Sequence, residues 1–328
     1  MSTAIGPLTL EPLLVPKPWG GHAIEPLLGL PATAEPIGEA WLCADLAATS
    51  PWGAGGQAMV SRIVSGWGAG GTLHDALQQA GAALLGREVE RFPLLLKVLD
   101  AERNLSVQVH PSAAYAAVHA GAHLKTEAWY TLSSRAGAQF LVGLRPGTTA
   151  QRLTHAVAEG GFGDLLESST VAPDDAVLIP SGTVHALGAG TVVFEVQTAS
   201  DTTFRLYDWT RETGLPSREL QVDQALAAAD LSLTPTWSRA AARGSSTLVC
   251  RTSQFDLHAL SPGRHALQAL GQGRAALIFV KRDAATLHTP RGPYAMPVGR
   301  ITVLPAALSG DATVESAGDA SLLVVIVR

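Results

Sequence analysis

The chain has 328 residues, 47% of them apolar and 16% charged, which excludes a disordered protein and allows one large domain or two modest ones. A formal net charge of −5 with no long basic run argues against nucleic acid or an anionic membrane surface as a partner. Cys43 and Cys250 are the only cysteines, too few for a disulfide framework or a Cys-rich zinc site.

No apolar stretch reaches membrane-spanning length, and residues from Met1 to Glu11 lack a basic segment followed by an apolar run. A cytoplasmic protein is therefore expected. With 33 glycines and 20 prolines, turns are frequent. Short strands bounded by turns favour a β-sandwich or barrel.

In chain order, Leu8 to Val15 reads as extended, and Lys17–Pro18–Trp19–Gly20–Gly21 as a rigid turn. Gly38 to Cys43 is a short strand with Glu39 and Trp41 on one face. Apolar residues at Leu73, Leu77, Ala80, Leu84, Leu85 and Val89 predict a helix from Leu73 to Glu90. Phe92 to Leu99 is a buried strand with a single charge, Lys97. Leu105 to Pro111 alternates: Leu105, Val107 and Val109 on an apolar face, Ser106, Gln108 and His110 on a polar one. Pro111 ends that ladder. A short helix is expected from Ala113 to Gly121, then a strand from Lys125 to Leu132 with Lys125, Glu127 and Trp129 on one face.

Further along, Gln139 to Leu144 is a strand, Ala150 to Glu167 a helix, and Ala176 to Ile179 a strand ended by Pro180–Ser181–Gly182. His185 lies just past that turn. Thr191 to Thr198 and Thr203 to Trp209 are strands. The first carries Val193, Glu195 and Gln197 on one face, the second Thr203, Arg205 and Tyr207. Leu220 to Leu231 is an Ala-rich helix or linker. Beyond it come only short strands: Leu248 to Leu260, Ala275 to Lys281, Ile301 to Leu304 and Ser321 to Val327. No His in this last part has carboxylates at a recurring spacing, so it reads as a smaller all-β domain without a metal site.

Three segments offer metal ligands from strands or strand ends: Gln108 with His110, Glu127, and His185. Mixed nitrogen and oxygen ligands without thiolate suit Zn²⁺ and also Mn²⁺, Fe²⁺, Co²⁺ or Ni²⁺. A small barrel brings such ligands together at its mouth. Each residue also has an ordinary reading: His110 as a loop histidine beside proline, Glu127 as a partner of Lys125, His185 as a turn residue. Gln108 is the weakest ligand by chemistry, and a salt bridge to Asp201 or Asp208 would account for Arg205.

An ordered set of motifs decides between these readings. They are Pro18–Trp19–Gly20–Gly21, Gly38–Glu39–Ala40–Trp41, Pro93 to Lys97, Leu105 to Pro111, Lys125 to Tyr130, Ile179 to Leu187, and Phe194–Glu195–Val196–Gln197 through Ser200 to Trp209. In this order, over roughly residues 17 to 209, the sequence resembles type I mannose-6-phosphate isomerases in their short bacterial form.

The resemblance implies a mainly β double cupin (two jelly-roll barrels) with a few helices. It divides the chain into a catalytic metal-binding domain over 1–215, a helical linker over 216–235 and a smaller C-terminal β domain over 236–328. The implied activity is a metal-dependent aldose–ketose isomerase interconverting mannose 6-phosphate and fructose 6-phosphate. The implied cofactor is one Zn²⁺ per chain, held by His110, Glu127 and His185 with Gln108 as the fourth ligand. Arg205 matches the catalytic arginine; Lys97, Ser106 and Lys125 match positions facing the substrate phosphate.

Two departures stand out. Ser112, Ala113 and Ala114 occupy positions after His–Pro where the family often has acidic residues, and the large helical insertion of longer members is missing. The chemistry fits independently of the match. Moving a carbonyl from C1 to C2 through an enediol needs a base for a carbon-bound proton, for which Glu195 and Lys125 both qualify. Fixed positive charge where negative charge develops is what Arg205 supplies. Lys97 is costly to bury unpaired, and a phosphate would give it a partner; its ordinary reading is snorkelling to the surface or pairing with a carboxylate.

The alternatives are a non-catalytic metal-containing sugar-binding cupin and a metal-dependent cupin oxidoreductase. The expected partner is a small sugar phosphate, with no nucleic acid and no membrane, in a monomer or homodimer.

Overall fold

The structure is a computed structural model describing residues 4–47, 58–209, 218–240, 244–316, 318 and 321–328. It is mainly β, in two pairs of antiparallel sheets and a small two-stranded ribbon of Asp45–Leu46 with Met59–Val60. In the first pair, a seven-stranded sheet runs in the order Thr236–Ser238, Ala176–Ile179, Glu127–Ser134, Thr191–Thr198, Leu94–Ala101, Ile37–Cys43, Leu13–Gly21. A five-stranded sheet runs Leu166–Thr170, Gln139–Leu144, His185–Leu187, Val107–Val109, Phe204–Tyr207. Side chains from both meet in one core: Trp129, Val177 and Val193 from the first, Phe140, Val142 and Leu187 from the second.

Alternation explains that core. On Thr191–Thr198, Val193 faces inward while Phe194 and Val196 pack on the opposite side. On Glu127–Ser134, Trp129 faces inward and Ala128 and Tyr130 outward. The outward face meets the second sheet pair, with the Phe194 and Phe279 rings 5.1 Å apart. The helices Ala113–Val118, Ala150–Glu159 and Val222–Ala228 cover the outside of the five-stranded sheet.

The second pair consists of a seven-stranded sheet, Ser246–Arg251, Phe255–Leu260, Leu322–Val327, Ala276–Val280, Ile301–Leu304, Leu8–Leu10, Ile63–Gly66, and a four-stranded sheet, Arg264–Ala266, Thr313–Ser316, Ala285–Thr289, Gly292–Met296. Two N-terminal strands therefore belong to the C-terminal sheet, Leu8 opposite Val303 and Thr9 opposite Ser65. In the other direction, Thr236–Ser238 pairs with Ala176–Ile179 of the first sheet. The expected boundary between residues 215 and 216 lies outside the described residues.

Element limits differ from the sequence reading at several places: the helix expected to Glu90 ends at Leu85, where Gly86 adopts φ of 84°, and Lys17 to Gly21, expected as a turn, continues the strand Leu13–Gly21. The helix expected to Glu167 stops at Glu159, because Gly160 and Gly161 adopt φ of 85° and 91°, and Leu166–Thr170 is a strand. The strand expected over Leu248 to Leu260 is a hairpin, turned where the Thr252 hydroxyl accepts hydrogen bonds from the Gln254 and Phe255 amides. The pairing around Val107 covers only Val107–Val109. On Phe204–Tyr207 a register shift after Arg205 sends Tyr207 into the helix-covered core with Phe204 and Leu206, away from Arg205's face.

Candidate active site

Neighbouring strands set the inner row of the first sheet by register. Glu195 lies opposite Lys97 on one side and Trp129 on the other, and Gln197 lies opposite Glu127. Across the sandwich, Gln108 lies opposite both His185 and Arg205. Three chain-distant groups thereby converge: His110, Glu127 and His185 are buried, with ligand atoms all within 4.8 Å of one another. Glu127 Oε2 is 3.3 Å from His110 Nε2, and Oε1 is 3.3 Å from His185 Nε2.

The backbone fixes both imidazoles. His110 Nδ1 donates to the Thr202 carbonyl at 2.9 Å and His185 Nδ1 to the Thr183 carbonyl at 2.8 Å. With the protons on Nδ1, both Nε2 lone pairs face Glu127, the tautomer that second-shell carbonyls impose on metal-binding histidines. Burial, reinforced by the Lys125 charge, drives His110 down to about 3, so it is neutral at pH 7. Burial also keeps His185 neutral, against the pull of Glu127. Burial alone would push Glu127 up, but the Lys125 ammonium 3.1 Å away holds it well below the usual carboxylate range.

Neither Glu127 oxygen accepts a hydrogen bond, although the Lys125 ammonium stands 3.1 Å from Oε2. A fully buried carboxylate in that state is costly unless a cation completes it. Two neutral imidazoles and an ionised carboxylate are the donor set of a borderline divalent ion. These residues fit a divalent metal. Gln108 Nε2 lies 3.2 Å from His185 Nε2, and turning the amide over would offer its oxygen instead.

A polar cavity of about 700 Å³ adjoins this centre. Gln108 and Lys125 line it and also touch the buried triad, Lys125 Nζ lying 3.2 Å from His110 Nε2. Glu195 lines it too, its Oε1 accepting from Trp129 Nε1 at 3.0 Å. Burial, with the Glu127 charge second, raises Glu195 to about 7 despite the two lysines nearby. Lys97 stands among carboxylates: Glu39 at 3.3 Å, Glu195 at 3.8 Å and Asp201 at 4.0 Å. Burial opposes its charge, but those three acids overcome that and raise it. Its buried charge thus has protein partners, which the strand sequence alone did not show.

Arg205 donates from Nε to Ser106 Oγ at 3.1 Å and from Nη1 to the Glu219 carbonyl at 2.7 Å, and its amide donates to Gln221 Oε1 at 3.1 Å. Ser106 thus sits against the guanidinium. Burial, and then the charge of Arg218, lowers Arg205 to about 10.

The structure thus gathers Ser106, Gln108, His110, Lys125, Glu127, His185, Glu195 and Arg205 at one centre, with Lys97 beside Glu195. Sequence reasoning missed several supports. Glu39 bridges Lys17 and Lys97 and accepts from Trp41 Nε1 at 2.6 Å. The shared face of Glu39 and Trp41 was its only signal. Ser181 accepts from the Lys125 amide at 2.9 Å and donates to the Pro111 carbonyl at 2.6 Å, joining three site-bearing segments. The Thr183 and Thr202 carbonyls carry no side-chain signal at all. Arg218 lies in a stretch read as linker.

Comparison with known proteins agrees with this geometry. The family model "Phosphomannose isomerase type I, catalytic domain" matches residues 8–137. Mannose-6-phosphate isomerase ManA of Bacillus subtilis is 36% identical over 232 residues, 70% of each chain. The mannose-6-phosphate isomerase of Streptococcus mutans is 34% identical over 255 residues, 76% of each. Among solved structures, the mannose 6-phosphate isomerase from Bacillus subtilis superposes with a TM-score of 0.80 at 28% identity, covering 97% of this chain and 99% of that one. A zinc-bound mannose 6-phosphate isomerase shares the fold, with a TM-score of 0.70 at 18% identity over 98% of this chain and 99% of that one. The relatives, and the sheet sandwich that gathers two imidazoles, a carboxylate and an arginine, together establish that this chain belongs to the type I phosphomannose isomerases.

Proposed function

We infer that the protein is a metal-dependent aldose–ketose isomerase that interconverts mannose 6-phosphate and fructose 6-phosphate. The observation that carries this reading is the buried His110–Glu127–His185 centre, opened through Gln108 and Lys125 to a polar cavity lined also by Glu195 and Arg205. One Zn²⁺ per chain is the proposed cofactor, with His110, Glu127 and His185 as ligands and Gln108 as the fourth; the donor set admits other divalent ions. When bound, the metal acts as a Lewis acid on the sugar oxygens.

The residues supply the rest. Glu195 is the proposed base: it faces the cavity and titrates near neutrality, as an efficient base at that pH must. It takes the proton from C2 of the aldose, leaving an enediolate, and returns it to C1, while the hydroxyl proton passes from O2 to O1 to give the ketose. Lys125 and Arg205 stabilise the negative charge that develops on oxygen, from positions fixed before substrate arrives. Ser106 orients Arg205 through its hydroxyl. Ser106, Lys97 and Lys125 are proposed substrate contacts; for Lys97 this means sharing its charge between substrate and Glu39.

A non-catalytic sugar-binding role gives no reason for a near-neutral carboxyl held in the cavity. We further propose the domain division 1–215, 216–235 and 236–328, with Leu8–Leu10, Ile63–Gly66 and Thr236–Ser238 exchanged across it. A cytoplasmic monomer or homodimer, with neither nucleic acid nor membrane as partner, completes the proposal. Among the described residues, no helix is long and apolar enough to cross a membrane.

A coupled assay with mannose 6-phosphate tests the reading. Turnover should require metal and be abolished by a chelator. Arg205→Ala should retain the metal and lose about 10²- to 10³-fold in kcat. No turnover by the metal-loaded protein removes the isomerase reading; full activity in Arg205→Ala removes that residue's role.

A further inference from the structure

The cations of the cavity differ in how well the protein already neutralises them. Lys17 pairs with Glu39 at 3.3 Å, Lys97 stands among Glu39, Glu195 and Asp201, and Lys125 lies 3.1 Å from Glu127. Arg205, by contrast, bonds only neutral oxygens, those of Ser106 and the Glu219 backbone, among the described residues.

Arg218 lines the same cavity and is tied down along one edge. Its Nε donates to Asp208 Oδ2 at 2.8 Å and its Nη2 to Oδ1 at 3.4 Å, while its amide also donates to Oδ2 at 3.2 Å. Asp208 is fully buried, and the Arg218 side chain is 26% exposed. The carboxylate therefore fixes the guanidinium plane and, among the described residues, leaves Nη1 unused. A guanidinium has five donors in a rigid fork, the geometry that matches phosphate.

We propose that Arg218 is a specificity-determining residue that recognises the phosphate group of the sugar substrate, with Arg205 and Ser106 beside it at the same end of the cavity. This deepens the isomerase reading and rests on it. Arg205 Nη1 bonds the carbonyl of Glu219, the residue next to Arg218, so the two guanidinium charges are neighbours, and an anion bound at Arg218 offsets their repulsion while Arg205 keeps its role at the reacting oxygens. Glu219 also lines the cavity but is exposed, where water screens its charge. Lys97 and Lys125 turn a single compact ammonium to their carboxylates, whereas the Arg218 fork, though paired with Asp208 along one edge, keeps Nη1 for a second anion among the described residues.

The test compares wild type, Arg218→Gln and Arg218→Lys in two measurements: inorganic phosphate binding by calorimetry and steady-state kinetics with mannose 6-phosphate. In Arg218→Gln, the phosphate Kd and the KM should both rise about 10- to 100-fold, the effect of losing a charge-assisted hydrogen bond, with kcat within about threefold. Arg218→Lys, which keeps the charge and the Asp208 pair, should fall between. Inhibition by unphosphorylated mannose should not change.

Unchanged phosphate affinity, or a fall in kcat at constant KM, overturns the proposal. So does a loss of phosphate binding without a change in KM, which would mark a separate anion site. If Arg218→Gln does not fold, a wild-type KM and Kd in Arg218→Lys overturn it equally. Phosphate binding that depends on Arg218 in a protein without turnover would retire the isomerase reading and leave this one standing.

Discussion

The proposed chemistry turns on Glu195. Desolvation and the neighbouring Glu127 charge lift it to about 7, and the Trp129 indole and two lysines keep it from rising further. A base must be ionised to accept a proton, so kcat/KM should rise with pH as Glu195 ionises, at or below about 7 once a bound cation offsets the Glu127 charge. Glu195→Gln should remove that limb and about 10²- to 10⁴-fold of rate, measured as a pH–rate profile. An unshifted limb in the variant would assign the base elsewhere. Stability runs the opposite way. A carboxyl raised on folding contributes stability that is present below its ordinary value and lost as pH rises toward 7. At this scale much was legible in the sequence: alternation puts His110 and Glu127 on polar faces, while His185 stood just past a turn and was marked by the motif around it. The Nδ1 contacts to Thr202 and Thr183 were not, because a backbone carbonyl looks the same in every residue.

Turns and register place these side chains. Gly182 has φ of +100°, and a Cβ there would come within 2.9 Å of Ser112 Cβ. It follows Ser181, whose hydroxyl ties the His110–Pro111 strand end to Lys125. Gly182→Ala should therefore cost more than about 1 kcal/mol and weaken metal binding. Gly137→Ala is the comparison: φ is +77°, and nothing lies within 4 Å of the added carbon. Both carry backbone strain, but only the first should also lower metal affinity, read by denaturation and metal titration in parallel. Equal metal affinities would disconnect the turn from the site.

Strand existence was readable from alternation, and helix ends less so. Ala150–Glu159 stops at a glycine pair that a periodic pattern runs through. The shift after Arg205 was invisible, since Thr203, Arg205 and Tyr207 alternate perfectly on paper.

Taken whole, the molecule is two sandwiches sharing strands. Leu8–Leu10 and Ile63–Gly66 complete the C-terminal sheet, while Phe194 and Phe279 stack across the seam. Lys281 Nζ lies 2.7 Å from Asp174 Oδ1, which also accepts from the Tyr130 hydroxyl at 2.7 Å. Exchange of strands couples the stability of the two halves, so unfolding should be a single transition by calorimetry, coincident with metal release. Leu8→Ala, at a fully buried site, should lower it as one peak by about 2 to 5 kcal/mol. Two resolved transitions would show the halves to be independent. The sequence order of motifs conveyed the catalytic half well. Pairing between residues some 290 apart, as for Leu8 with Val303, leaves no local trace in a sequence.

The centre of this picture is one cation held by two imidazoles and a carboxylate. A metal titration against a chromophoric chelator, on wild type, His110→Ala and Glu127→Gln, reads it directly. One divalent ion per chain should bind the wild type tightly, with affinity falling by at least about 100-fold in each variant, since each removes a ligand whose loss outweighs the 10- to 100-fold cost of a second-shell change. Equal affinities in all three proteins would mean that the ion, if bound at all, sits somewhere else.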